Sequence, residues 1–210
     1  MYYIAIEGVI GVGKTSLAQR LGERLNAKLI LDPSDENPYL EDFYQDPRRF
    51  AFQVQLFFLI SRYRQLLQVS SQSDLFHDYL IADYIFAKDR IFAQLNLEPR
   101  DFALYEKVAT LLEKEIQKPE LVIYLQSNPQ KLMERIRKRN RKYEKNISPD
   151  YIRQLNEAYN AFFFQYKETP LLVVNTSEID FVHQDEDLED LILQIQNPPM
   201  GVKYYVPKKR

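Results

Sequence analysis

Cysteine is absent from the 210 residues, and with it go disulfides, thiolate nucleophiles and zinc sites that depend on sulfur ligands. Histidine is almost absent too: His77 and His183 are the only imidazoles, which excludes a histidine-rich metal centre. Neither sign of charge is in excess, because 28 Lys+Arg meet 30 Asp+Glu for a net charge of -2. The chain therefore has no global attraction for nucleic acid or an anionic membrane, and any charge-driven function must be local. No uninterrupted apolar run approaches the roughly 18 residues of a membrane span, and the N-terminal YYIAI stretch is too short for a signal segment and lacks a basic start. The expectation is a cytoplasmic protein with neither a membrane nor a nucleic acid partner.

Glycine is the most informative shortage. Only 5 occur, where an average usage of about 7% would give about 15, yet Gly8, Gly11 and Gly13 fall together in one short segment. What glycine there is has been concentrated at one loop.

Hydrophobic residues make up 45% of the chain, enough for a sizeable core, and at about 150 residues per domain the length predicts one domain over 1–210. Tyr2 to Glu7 reads as a strand, and Leu17, Leu21 and Leu25 at four-residue spacing predict a helix from Lys14 to Leu25. Lys28 to Leu31 is a second short strand, ended by Asp32-Pro33. Beyond an irregular DENPYLEDFY stretch, Pro47 opens a long helix through Leu67; Asp78 to Ala82 is the third strand, with helical patterns at about 84–94 and 99–117. Glu120 to Leu125 is the clearest buried strand. A helix over 128–139, a strand from Leu171 to Val174 and a helix from Leu188 to Ile195 complete the pattern. Five strands alternating with helices predict an α/β fold with a five-stranded parallel sheet.

The residues GVIGVGKT, Gly8 to Thr15, match G-x-x-x-x-G-K-[ST] directly between a strand and an amphipathic helix, the context that gives this motif its meaning. In such a loop the backbone amides of Gly8, Val9, Ile10, Gly11, Val12, Gly13, Lys14, Thr15 and Ser16 can converge on phosphate oxygens, helped by the helix N-terminus. Lys14 would neutralise the β- and γ-phosphates, and Thr15 would offer its hydroxyl to a Mg²⁺ ion bridging them. The motif thus predicts a P-loop NTPase fold that binds a triphosphate with Mg²⁺.

In a parallel sheet the carboxyl ends of the strands face the ligand crevice, so the acids there come first. Asp32 could accept a proton from a substrate hydroxyl, a reading favoured over a plain turn residue before proline. Asp83 is a candidate second Mg²⁺ ligand, and Glu7 could serve either structure or metal. From Arg135 to Lys145 the string RIRKRNRKYEK holds seven cations in eleven positions. A solvated helix end and a nucleic-acid patch are possible readings, but beside a phosphate loop a basic lid over about 135–147, closing arginines on the transferring phosphate, is favoured. The acidic run from Glu178 to Asp190 is expected to be a solvated helix start.

GVIGVGKT, Asp32-Pro33, NPYLEDFYQDP, FQVQLFFLISRYRQL, KDRIFA and RIRKRNRKYEKNIS, in this order, resemble the deoxynucleoside kinases, particularly the bacterial deoxyadenosine and deoxyguanosine kinase branch. The resemblance implies transfer of the ATP γ-phosphate to the 5′-hydroxyl of a deoxynucleoside, with a purine favoured, and a homodimer. It implies that Asp32 is the catalytic base, where the family usually has glutamate, that Gln55, Arg62 and Asp89 surround the nucleobase, and that Tyr44 and Glu144 hold the sugar 3′-hydroxyl. Arg135 and Arg139 match lid arginines that touch the phosphates. Asp83-Tyr84-Ile85 stands where the family often has Glu-Arg-Ser, so the acid is kept and the arginine is not. A nucleoside monophosphate kinase, using Arg48 or Arg49 for a second phosphate, and a non-catalytic nucleotide-binding regulatory module are the alternatives.

Overall fold

The computed structural model describes residues 1–71, 76–177 and 184–205, with the side chains of 69–71 left aside. Its elements follow the order β1 (Tyr2–Gly8), α1 (Lys14–Leu25), β2 (Lys28–Ile30), α2 (Leu40–Gln45), α3 (Pro47–Ser71), β3 (Tyr79–Ala82), α4 (Lys88–Asn96) and α5 (Pro99–Glu113). Then come β4 (Leu121–Gln126), α6 (Pro129–Arg139), α7 (Pro149–Gln165), β5 (Leu171–Asn175), α8 (Asp185–Gln196) and β6 (Val202–Tyr205). Short 3₁₀ turns lie at Ser34–Glu36 and Lys142–Asn146.

The sheet has six strands in the order β2-β3-β1-β4-β5-β6, every pair parallel. The expectation of five is therefore corrected: β6 adds to the edge beside β5, from Leu171 opposite Val202 to Val174 opposite Tyr205. Its residues are largely exposed, so they carry none of the continuous apolar character that marks the interior strands. In β1 and β4 that character is plain, because Ile4 to Ile6 and Leu121 to Leu125 are buried by cover on both faces.

The connection from β1 runs to β2 on one side of it, whereas the connection from β3 crosses past β1 to β4 on the other side. That reversal opens a crevice at the strand carboxyl ends. It brings Gly8, the residues after Ile30 and those after Ala82 to one edge.

Two helices and several boundaries differ from the sequence expectation. α2 forms within the stretch expected to be irregular, burying Leu40 and Phe43 against Ala51, Val54 and Phe58 of α3 in a small second core. α7 carries its own start signal: Ser148 Oγ accepts from Tyr151 N at 3.1 Å with Pro149 at the first helical position. It buries Ile152, Leu155, Tyr159 and Phe163, and the Phe163 ring stacks on Tyr124 of β4 with centroids 4.1 Å apart. α4 begins at Lys88 rather than 84, because Tyr84, Ile85 and Phe86 are buried in the turn leaving β3. α8 opens with Asp185, Glu186 and Asp187 in its first turn, as an acidic helix start should; Glu178 and His183 lie outside the described residues. Among the described residues no helix is long and apolar enough to cross a membrane.

Candidate active site

A cleft of about 380 Å³ opens at this edge of the sheet, a volume suited to a small organic ligand. One end is the glycine loop. Gly13 sits at φ 104° as the residue before α1, and Gly11 at φ 85° lies so close to α6 that a Cβ would stand 2.8 Å from the Leu132 carbonyl oxygen. A side chain at either place would strain the turn that bares the loop amides. Ile10, Gly11, Gly13, Lys14, Thr15 and Ser16 line the cleft, whereas Val9 and Val12 turn into the core and anchor the loop from behind. Lys14 Nζ donates to the carbonyls of Gly8 at 2.7 Å and Val9 at 3.3 Å. Burial, with the nearby Lys88 charge, pushes this ammonium down to about 8.

The buried Asp83 carboxylate joins the loop to the other half of the site. Thr15 Oγ1 donates to its Oδ2 at 2.5 Å, and its Oδ1 accepts from the Asp32 backbone N–H at 2.6 Å. This holds the end of β2 against the start of α1.

Asp32 faces the cleft across from the loop. Arg62 of α3 donates through Nη2 to both carboxylate oxygens at 2.9 Å and through Nε to Oδ1 at 3.2 Å, while Lys88 donates to Oδ2. Both oxygens are thus taken by cations rather than by the backbone amides of a local turn. Burial alone would favour the neutral acid, but Arg62 and Lys88 outweigh it and hold the carboxyl well below the usual carboxylate range.

Asp89 has a different fate. Its Oδ1 accepts from Arg62 Nη1, but its buried Oδ2 has no hydrogen-bond partner among the described residues, and burial pushes the group up to about 6 with Arg62 opposing. One guanidinium is divided between two carboxylates, and among the described residues only Asp32 has a second cation in contact. Gln55 is also buried, with its Oε1 unpartnered among the described residues. The Arg62 guanidinium lies over the Phe58 ring, 4.4 Å from its centroid, which completes an aromatic wall.

Tyr44 and Glu144 both line the far end, with Phe43 and Tyr151 edge-on to the Tyr44 ring. Glu144 is buried and paired with Arg139. The basic segment forms the last turns of α6, a left-handed turn at Asn140 and the 3₁₀ turn that follows. Arg139 and Arg141 line the cleft, while Arg137, Lys138, Lys142 and Lys145 are exposed. Across the opening Tyr143 donates to Asp35 at 2.6 Å, and Lys142 pairs with Glu41 at 3.0 Å. These contacts tie the segment to the residues following β2 and to α2 on the other side of the opening.

Arg135 is placed differently from Arg139. It donates to the Val12 carbonyl at 3.2 Å and the Thr176 carbonyl at 3.0 Å, bracing the back of the phosphate loop. Glu7 serves the backbone: its carboxylate accepts from Gly8 N at 2.8 Å and Ile85 N at 3.1 Å. Tyr84, at the position lacking the arginine, is buried and donates to Gln65 at 2.7 Å. The cation missed by the sequence reading is Lys88. As the first residue of α4 in a charged KDR run it resembles a solvated helix start, and buried lysines are rare.

A phosphate loop facing a carboxylate across one crevice, at the switch point of a parallel sheet, defines a phosphotransferase of the P-loop class. The deoxynucleoside kinase family model matches residues 4–198, and the chain belongs to that family. It is 35% identical over 198 residues to a deoxyguanosine kinase of Bacillus subtilis (strain 168), covering 92% of this chain and 96% of the relative. It is 37% identical over 182 residues to a deoxyadenosine kinase of Dictyostelium discoideum, covering 84% of this chain and 73% of the relative. Its fold superposes on that of deoxyadenosine kinase from M. mycoides with bound dATP, with a TM-score of 0.80, 28% identity and coverage of 93% and 99% of the two chains.

Proposed function

We propose that this chain transfers the γ-phosphoryl group of ATP to the 5′-hydroxyl of a deoxynucleoside, with deoxyadenosine or deoxyguanosine favoured. The observation that carries the reading is Asp32, an ionised carboxylate at the junction between the phosphate loop and a pocket walled by Phe58, Tyr44 and the buried amide of Gln55. The names of the deoxyguanosine and deoxyadenosine kinase relatives support a purine acceptor.

In this scheme the loop amides and Lys14 hold the triphosphate, and Arg139 closes on it with the lid. The 5′-oxygen attacks the γ-phosphorus, the bond to the β–γ bridging oxygen breaks, ADP leaves, and the hydroxyl proton passes to Asp32. A carboxylate held far below its ordinary pKa is a weak base, yet it suffices. In a loose transition state the hydroxyl becomes acidic only as its bond to phosphorus forms, so position and charge matter more than basicity. Gln55 and Asp89 would read the base, Arg62 would steady both aspartates, and Tyr44 and Glu144 would take the 3′-hydroxyl.

Mg²⁺ fits the residues present. Thr15 Oγ1 and Asp83 Oδ2 are adjacent hard oxygen donors beside the loop, and no group of three metal-ligating side chains competes among the described residues. These two would hold the ion together with nucleotide phosphates and water, and when bound it supplies charge neutralisation. Arg48 and Arg49, either of which could serve a monophosphate acceptor, are exposed at the start of α3 and do not line the cleft, although Arg48 lines an adjoining cavity that shares Phe43, Tyr44 and Tyr151 with it.

A panel of deoxynucleosides and their 5′-monophosphates with γ-labelled ATP tests the reading. Label should pass to deoxyadenosine or deoxyguanosine and appear in the monophosphate. Transfer to monophosphates alone, or none at all, would contradict it.

A further inference from the structure

Lys88 has no role in that scheme, yet its placement is unusual. Its side chain is only 6% exposed, it lines the cleft, and its ammonium reaches across from α4 to Asp32 Oδ2. Asp32 already receives three guanidinium contacts from Arg62. Asp89, the residue next to Lys88 in the chain, keeps a buried oxygen with no hydrogen-bond partner among the described residues. If neutralising buried carboxylates were the purpose, the lysine is aimed at the one that needs it less.

Its direction also brings it near a like charge. Lys14 and Lys88 line the same cleft and their charges repel. A buried pair of ammonium groups is unfavourable by itself, but an anion received between them turns the repulsion into attraction for both. Phosphoryl transfer creates such an anion, with charge spread over the equatorial oxygens as the group moves from donor to acceptor.

We infer that Lys88 is a catalytic cation of the acceptor side: it holds the Asp32 carboxylate toward the 5′-hydroxyl and receives the transferred phosphoryl group opposite Lys14. The inference rests on the kinase reading of the cleft. It assigns the two lysines to two ends of one transfer, Lys14 to the departing donor and Lys88 to the arriving product.

The test compares Lys88→Met, which keeps most of the bulk without charge, with Lys88→Gln, which can still donate to Asp32, and Lys88→Arg. Affinities for deoxyadenosine, deoxyguanosine and their 5′-monophosphates are measured by calorimetry, and transfer by single-turnover kinetics with ATP in excess. For Met and Gln we expect single-turnover rates lower by about 10²–10³-fold, monophosphate affinity lower by at least about tenfold, and nucleoside and ATP affinities within about threefold of wild type. Lys88→Arg should recover a large part of both losses. Equal losses of nucleoside and monophosphate affinity, or normal transfer in any folded uncharged variant, would overturn the inference. An unfolded methionine variant leaves the glutamine variant to decide by the same ratio. Failure of the wild-type protein to phosphorylate any deoxynucleoside would instead overturn the kinase reading beneath it.

Discussion

The two ends of the cleft are built in opposite ways. In the proposed scheme the donor end is one contiguous loop whose backbone amides would do the recognising, with Lys14 and Thr15 following in sequence. The end proposed for the acceptor is assembled from side chains on separated elements: Asp32 after β2, Tyr44 on α2, Gln55 and Arg62 on α3, Lys88 on α4 and Glu144 in the 3₁₀ turn after α6, with Asp89 outside the lining and paired to Arg62. A backbone site tolerates little variation in geometry and recognises any triphosphate. A side-chain site can be retuned one residue at a time, and it is where discrimination between acceptors must reside.

The donor end should fail all at once. Lys14→Ala is expected to lower transfer by about 10³-fold or more while leaving the melting temperature near wild type, since the ammonium donates to loop carbonyls and its removal also relieves the repulsion from Lys88. Near-normal turnover in the folded variant would remove the loop from the chemistry.

The acceptor end should fail selectively. Tyr44→Phe removes one hydroxyl from the far end of the pocket and should cost natural substrates roughly 1–3 kcal/mol in kcat/KM. Substrates lacking the 3′-hydroxyl should lose less. If the wild-type protein already treats 3′-deoxy and 3′-hydroxy nucleosides alike, the contact is misassigned.

The smallest expected effect distinguishes the two aspartates that share Arg62. Asp89, raised to about 6 by burial against an ordinary value of 3.8, binds its proton more tightly in the folded state. Its contribution to stability should fall as pH rises from about 4 to about 6. Asp32 has the opposite sign: its depressed folded pKa stabilises above the ordinary carboxylate range, and that stability is lost only as pH drops toward the folded value. Between about pH 4 and 6 Asp89 therefore contributes a falling slope, and the buried Glu7 carboxyl, also raised by desolvation, adds to it in the same direction, so the Asp89 share is the part that a variant at that position removes. Thermal melts across this window should differ in slope between wild type and Asp89→Asn; parallel curves would mean that Arg62 keeps Asp89 ionised throughout.

This contrast also governs what could be read from the sequence. The loop was legible because its residues are adjacent and each has one chemical reason to be there. Asp32 and Asp83 were legible because strand ends meet at the crevice. Gln55, Arg62, Asp89, Tyr44 and Glu144 came through family resemblance alone, since nothing in their local spacing shows that α2, α3, α4 and the lid converge. Lys88 escaped both routes: its neighbours suggest a solvated helix start, and only the tertiary fold turns it toward Asp32. α7 was missed although Ser148-Pro149 announces it, and β6 because an exposed edge strand of four residues has no burial pattern to reveal it.

The central claim is that Asp32 takes the acceptor proton, and a matched pair of variants tests it most directly. Asp32→Asn keeps size and polarity but cannot accept the proton, and single-turnover transfer should fall by about 10²–10⁴-fold with ATP affinity nearly unchanged. Asp32→Glu, which keeps the carboxylate, should retain far more activity than the amide. An asparagine variant as active as wild type, or more active than the glutamate variant, would contradict the assignment and return Asp32 to the role of a turn residue before Pro33.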